Sequence, residues 1–204
     1  MTVLSEPALD PAANSTISMD TARRAMIDSQ LRPSGVNDPL VLAAFNRVRR
    51  EDFVPAGARG VAYMDRAVPL GNGRVLAPAL SHGMMLMEAA PLPTDRALLV
   101  DGGSGYLAAL LAPLVGSLET IAPGQVPMGG GYTLLLIDGA IEHLPDALGA
   151  QLGEGARVVS GLIQRGVARL ATGRKTSGSV GFLTLGEADF VPLAEYALPA
   201  KWSF

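Results

Sequence analysis

Residues 96–111 read Arg-Ala-Leu-Leu-Val-Asp-Gly-Gly-Ser-Gly-Tyr-Leu-Ala-Ala-Leu-Leu, and this stretch limits the fold more than any other. Residues 97–100 are a continuous apolar run, the pattern of a strand buried on both faces in a parallel sheet. Asp101-Gly102-Gly103-Ser104-Gly105 breaks the run, and residues 106–111 resume with helical apolar spacing. Strand, glycine turn and helix in that order form the ligand-facing corner of a doubly wound α/β sheet. Glycines let a backbone turn sharply and approach a ligand, and a helix start offers free N–H groups. Two readings of Gly102, Gly103, Ser104 and Gly105 stay open: a tight turn that the fold itself requires, or a cofactor loop.

Length and composition bound the rest. The 204 residues suit one α/β domain with a modest appendage, and 49% hydrophobic residues supply a sizeable core. A net charge of −3 leaves no electrostatic footprint for nucleic acid. The densest basic cluster, Arg47-Val48-Arg49-Arg50, reads as a solvated helix end. The chain has no cysteine, which excludes disulfides, thiol catalysis and cysteine-bound metal. No apolar stretch approaches the ~20 residues of a spanning helix, and the start lacks a signal-peptide pattern. The expectation is a cytoplasmic protein without a membrane partner.

Along the chain, residues 1–17 lack periodicity and are expected to form a disordered tail. Residues 18–204 form a single domain, with a helical cap region over 18–95 and the sheet core over 96–204. Ser18 or Asp20 can cap a helix over 21–31, ended by Arg32-Pro33-Ser34-Gly35. Asn37-Asp38-Pro39 opens a second helix, residues 65–73 form an extended loop, and Pro78 introduces a third helix. From residue 97 strands and helices alternate. Further strands are expected at 118–121, 132–137, 156–163, 167–172 and 180–185, with a helix over 141–152. A hairpin connection is placed at 173–178, and 190–193 as a short edge segment.

Several phrases, in order, make the chain resemble the protein-L-isoaspartate O-methyltransferase family. They are Asp28-Ser29-Gln30-Leu31-Arg32, Asn37-Asp38-Pro39-Leu40, Asp52-Phe53-Val54-Pro55, Ala62-Tyr63-Met64-Asp65-Arg66, Pro69-Leu70-Gly71-Asn72-Gly73, Gly103-Ser104-Gly105-Tyr106 and Phe190-Val191-Pro192-Leu193. The resemblance implies a Rossmann-like methyltransferase sheet, mostly parallel, behind an N-terminal helical cap. It also implies S-adenosylmethionine as cofactor and esterification of isoaspartyl carboxylates in damaged protein or peptide substrates. Cofactor-binding positions would be Asp101, Gly102, Gly103, Ser104, Gly105 and Asp138; the catalytic residues stay unassigned.

The departures are as informative as the matches. Where the family carries Gln-Thr-Ile-Ser before a proline, this chain has Arg74-Val75-Leu76-Ala77-Pro78, without a hydroxyl; Ser81 is the nearest. A carboxylate is already a competent nucleophile toward an activated methyl, so catalysis rests on positioning, and the missing hydroxyls remove much of it. The family's strand acid is Leu99 here, and Asp101 replaces the first glycine. That carboxylate would either repel the cofactor's carboxylate or engage its ammonium. Ala122 stands where an acid would bind ribose hydroxyls.

Only ten residues, 122–131, connect the second strand to the third, where the family has a helix, a strand and an acidic loop. Ten extended residues reach at most ~35 Å, enough to shift two strands sideways. A bare crossover is thus within reach but a normal adenine pocket is not, and the path of 122–131 stays open; one edge strand is lost and the neighbouring strand exposed. These departures imply methyl transfer that is weakened or lost. The alternative is a non-catalytic interaction or self-associating protein on a methyltransferase scaffold, through the open edge or the tail Trp202-Ser203-Phe204. For Asp138, the residue-level reading is a helix cap first and a ligand contact second. His82 reads as packing, His143 as solvent-facing, Met84, Met85 and Met87 as core, and Glu119 as structural or at a sheet edge. Two separated histidines give no metal site.

Overall fold

The apolar runs assemble into one sheet because its central strands, at 96–100 and 132–141, are buried on both faces. The computed structural model describes residues 11–71 and 73–199. Its main sheet comprises β3 (Arg96–Val100), β4 (Ser117–Ile121), β5 (Tyr132–Ile141), β6 (Leu152–Gln164), β7 (Val167–Thr176) and β8 (Ser179–Glu187). They lie in the order β4-β3-β5-β6-β7-β8, the first four parallel and the last two antiparallel. A separate ladder joins β1 (Val68–Pro69) to β2 (Val75–Leu76) inside the stretch expected as an extended loop and its continuation.

Alternation along the strands sends side chains to two cores. Ala97, Leu99, Leu134, Leu136 and Val159 pack toward the helices α1 (Pro11–Met26), α2 (Pro39–Arg47), α3 (Ala79–Ala89) and α4 (Tyr106–Leu111). Leu98, Val100, Ile121, Leu135 and Ile137 face the other way, against Leu148 of α5 (Asp146–Gln151) and against Leu193 and Tyr196. α2 starts as its sequence dictates: the Asp38 side chain accepts hydrogen bonds from the Leu40 and Val41 N–H groups, and Pro39 fills the first turn. Among the described residues no helix is long and apolar enough to cross a membrane.

Four expectations change. The first helix starts at Pro11, inside the segment read as a tail; residues 1–10 and the apolar tail at 202–204 lie outside the described residues. Proline lacks only an N–H that the first turn cannot use, and Ala12 and Ala13 are strong helix formers. The helix expected over 141–152 shrinks to α5, because β5 continues through Ile141. Gly173 lies within β7, and the hairpin turn is Ser177-Gly178, with φ of 52° and 83°.

Residues 190–193 do add a short segment to the sheet, on the flank of β5 rather than beside an outer strand. Ala140 donates its N–H to Val191 O, and Leu193 donates to Ala140 O, so this segment adds to β5 beyond the point where β3 stops.

The bare crossover is present. Residues 122–131 pass from β4 across β3 to β5 without a helix, leaving β4 at one edge. Glu119 holds this connection: its carboxylate accepts the Met128 N–H at 2.8 Å and the Tyr132 hydroxyl. Pro127 is buried within the connection.

Candidate functional site

The carboxyl ends of β3, β4 and β5 define the crevice in which such sheets place ligands. Asp101 leaves β3 and turns back on the glycine turn: both of its carboxylate oxygens accept the Gly105 N–H, at 3.1 and 3.2 Å. Ser104 Oγ accepts the Tyr106 N–H at 3.1 Å. The donors at the start of α4 are therefore partly satisfied by the turn's own side chains. Burial raises the Asp101 pKa above the ordinary carboxylate value, and the nearby Asp138 charge adds to the rise.

Two glycines are fixed by close approach. A Cβ at Gly102 would lie 2.3 Å from the Asp138 carbonyl oxygen, and one at Gly103 would lie 3.0 Å from Arg74 Cγ. Gly103 and Gly105 also take φ of 106° and 72°, which side chains rarely adopt. The sequence thus places the turn, and close approach at Gly102 with positive φ at Gly103 and Gly105 gives each glycine a part in it.

Asp138 lies inside β5 and caps no helix, because β5 runs on past it. Its Oδ1 is 2.9 Å from His82 Nε2 on α3, and both side chains are buried. His143 is exposed, Met85 is fully buried, and Ser81 donates to Asp189 O at 3.2 Å rather than facing the crevice.

Arg50 corrects the reading of its cluster as solvated. It has no exposure, donates to Ala62 O at 2.7 Å and Ala77 O at 2.6 Å, and lies over the Tyr106 ring. Burial lowers its pKa. Nothing in a run of three arginines distinguishes it; the carbonyls that claim it lie 12 and 27 residues away.

What sequence reasoning missed is the occupant of the crevice. After Phe190 the chain crosses the top of the sheet. Leu193 packs against Gly139, whose φ is 156°. Glu195 accepts from Arg74 Nη2 at 2.6 Å, and the Tyr196 hydroxyl accepts the Gly124 N–H at 3.0 Å, beside the end of β4. Tyr196 O accepts the Glu142 N–H, fixing the far end. The cavity left among Arg74, Gly102, Asp138, Gly139 and Leu193 is about 40 Å³. Ligand pockets run to several hundred Å³. The one sequence signal was the phrase Phe190-Val191-Pro192-Leu193, whose position over the site only the fold reveals. Among the described residues no three His, Asp or Glu side chains come together to hold a metal ion.

Comparison with known proteins adds an independent line. The family model described as Protein-L-isoaspartate(D-aspartate) O-methyltransferase matches residues 21–122. A protein-L-isoaspartate O-methyltransferase of Methanoculleus marisnigri is 31% identical over 199 residues, covering 84% of this chain and 90% of its own. One from Koribacter versatilis is 32% identical over 203 residues, covering 86% and 90%. Among solved structures, a Plasmodium falciparum protein described as a putative protein-L-isoaspartate O-methyltransferase, in complex with S-adenosyl-L-homocysteine, superposes with a TM-score of 0.69. It is 17% identical and covers 87% of this chain and 98% of that one. A second structure, a protein-L-isoaspartate O-methyltransferase, superposes at 0.73 with 17% identity, covering 86% and 67%.

Proposed function

The chain belongs to the protein-L-isoaspartate O-methyltransferase family, and from that premise we propose that it keeps the family's scaffold while its methyl transfer is lost or reduced to a trace. The family works with S-adenosylmethionine, and the Plasmodium falciparum relative was solved with the demethylated form. The residues present here do not fit that group. The observation that carries the reading is the crevice itself: the cavity left among Arg74, Gly102, Asp138, Gly139 and Leu193 is about 40 Å³, and Glu195 and Tyr196 tie the crossing segment to Arg74 and Gly124.

Each part of the grip is altered as well. Gly105 N–H, which a cofactor could use, is held by Asp101. Gly124 N–H, next to Ala122 at the expected ribose position, is held by Tyr196. Val75, Leu76 and Ala77 supply no hydroxyl to orient a substrate carboxylate, and Ser81 is committed to Asp189. Positioning is most of what such an enzyme adds, since the nucleophile needs no activation. The side chains that remain at the crevice are therefore engaged with one another.

The direct test is calorimetric titration of the full chain with S-adenosylhomocysteine, alongside methyl transfer from labelled S-adenosylmethionine to an isoaspartyl peptide. The expected result is no heat of binding at millimolar ligand and no methyl ester above the enzyme-free control. Saturable binding together with ester formation would overturn the reading.

A further inference from the structure

Among the described residues the sheet has two open edges, and they differ in what they can pair with. β4 presents the N–H and C=O groups of Leu118 and Thr120 outward, because Ser117 and Ile121 bond toward the interior of the sheet. A two-fold pairing that uses the whole of this strand centres on Glu119 and sets two carboxylates opposite each other, which is unfavourable. Glu119 is also committed to the crossover. The edge that the sequence singled out is thus guarded by its own central charge.

β8 has no such guard. Residues 179–185 are Ser-Val-Gly-Phe-Leu-Thr-Leu, seven residues without a charge or a proline, and Leu183 is 65% exposed and Leu185 40%. Among the described residues only β7 pairs with β8. The two-residue turn with positive φ at Ser177 and Gly178 is of the type whose flanking residues, Thr176 and Ser179, exchange both hydrogen bonds. Alternation from there turns the backbone groups of Gly181 and Leu183 toward β7 and those of Val180, Phe182 and Thr184 outward. The ladder with β7 is regular from Ser179 to Thr184, and the register shifts only beyond it.

We propose that β8 is a self-association edge, on which a second copy of the chain docks its own β8 antiparallel about a two-fold axis at Phe182. This centring uses the whole regular stretch and matches outward groups to outward groups: Val180 with Thr184 of the second copy, Phe182 with Phe182, and Thr184 with Val180. It sets Leu183 of each copy opposite Gly181 of the other, where a Cβ would meet nothing within 4 Å. The exposed leucine thereby enters a notch, and the two phenylalanines form a cross-strand aromatic pair. No charge stands opposite a like charge within the paired stretch. A five-residue ladder, Val180 to Thr184, buries less than the ~1,600 Å² of a standard interface, so the dimer is concentration-dependent. The two sheets become one of twelve strands.

The test is sedimentation equilibrium of the full chain over a wide concentration range, with Leu183→Lys and Leu118→Lys variants. Wild type and Leu118→Lys are expected to rise from the mass of one chain toward that of two, while Leu183→Lys stays at one. Because Leu183 is exposed, its replacement leaves folding intact, as circular dichroism would verify. The chain has no cysteine of its own, so register can be read by mild oxidation. A mixture of Gly181→Cys and Leu183→Cys chains is expected to cross-link more completely than either alone. A wild-type chain that stays single at every concentration overturns the proposal. So does dimerisation lost in Leu118→Lys but kept in Leu183→Lys, or cross-linking no better in the mixture than in one variant alone.

Discussion

At Gly102 a Cβ would press on the Asp138 carbonyl from 2.3 Å, and neither backbone segment can yield without moving a buried strand. Gly102→Ala is therefore expected to lower the unfolding free energy by about 3 kcal/mol in urea titrations, at the upper end of overpacking costs. Its neighbour Asp101 makes a pH prediction. Burial and Asp138 raise its native pKa, so the folded chain keeps this proton at pH values where the unfolded chain has released it. The associated stability is present in full below the unfolded pKa and is lost as pH rises through the folded one. Asp101→Asn still offers an oxygen to Gly105 but does not titrate. The melting temperature of wild type minus that of Asp101→Asn should fall with rising pH through the carboxylate range and then level off; a flat or rising difference would contradict the assignment. Arg50 is the residue that the sequence conceals most completely. Its replacement by Ala strands the Ala62 and Ala77 carbonyls, at an expected cost of about 3 kcal/mol.

Elements were legible where their cause was local. The strand, turn and helix at 96–111 follow from apolar spacing and glycine, and α2 from Asp38-Pro39. Asp38→Ala should cost about 1 kcal/mol by the same local logic, measured by denaturant unfolding. Elements shaped by distant partners were not legible. β5 exceeds its apolar run because β6 pairs with it through Ala140 and Ile141, and Ala140 also bonds to Val191 and Leu193, some fifty residues later; Asp138 lost its reading as a helix cap for that reason. The segment across the crevice depends on such contacts throughout. Leu193→Ala removes its main apolar anchor and should cost about 2–4 kcal/mol. Hydrogen exchange should show the Ala140 and Leu193 amides losing protection before the β3 amides do. Equal loss at both would mean that the segment unfolds only with the sheet.

For the whole molecule, the short crossover between β4 and β5 and the segment over the crevice form one arrangement. A ten-residue crossover supplies no helix and no wall for an adenine. Leu193, Glu195 and Tyr196 take up space over the carboxyl ends of β4 and β5. The sequence revealed what is missing, since absent hydroxyls and acids can be read residue by residue. It could not reveal what replaces them, because Arg74 and Glu195 meet across 121 positions. The most direct measurement is an NMR titration of the full isotope-labelled chain with S-adenosylhomocysteine, following the amides of Gly103, Ser104, Gly105 and Leu193. The account predicts that all four stay unmoved at millimolar ligand. Saturable shifts at the glycine turn, accompanied by a shift at Leu193 as the segment gives way, would contradict it.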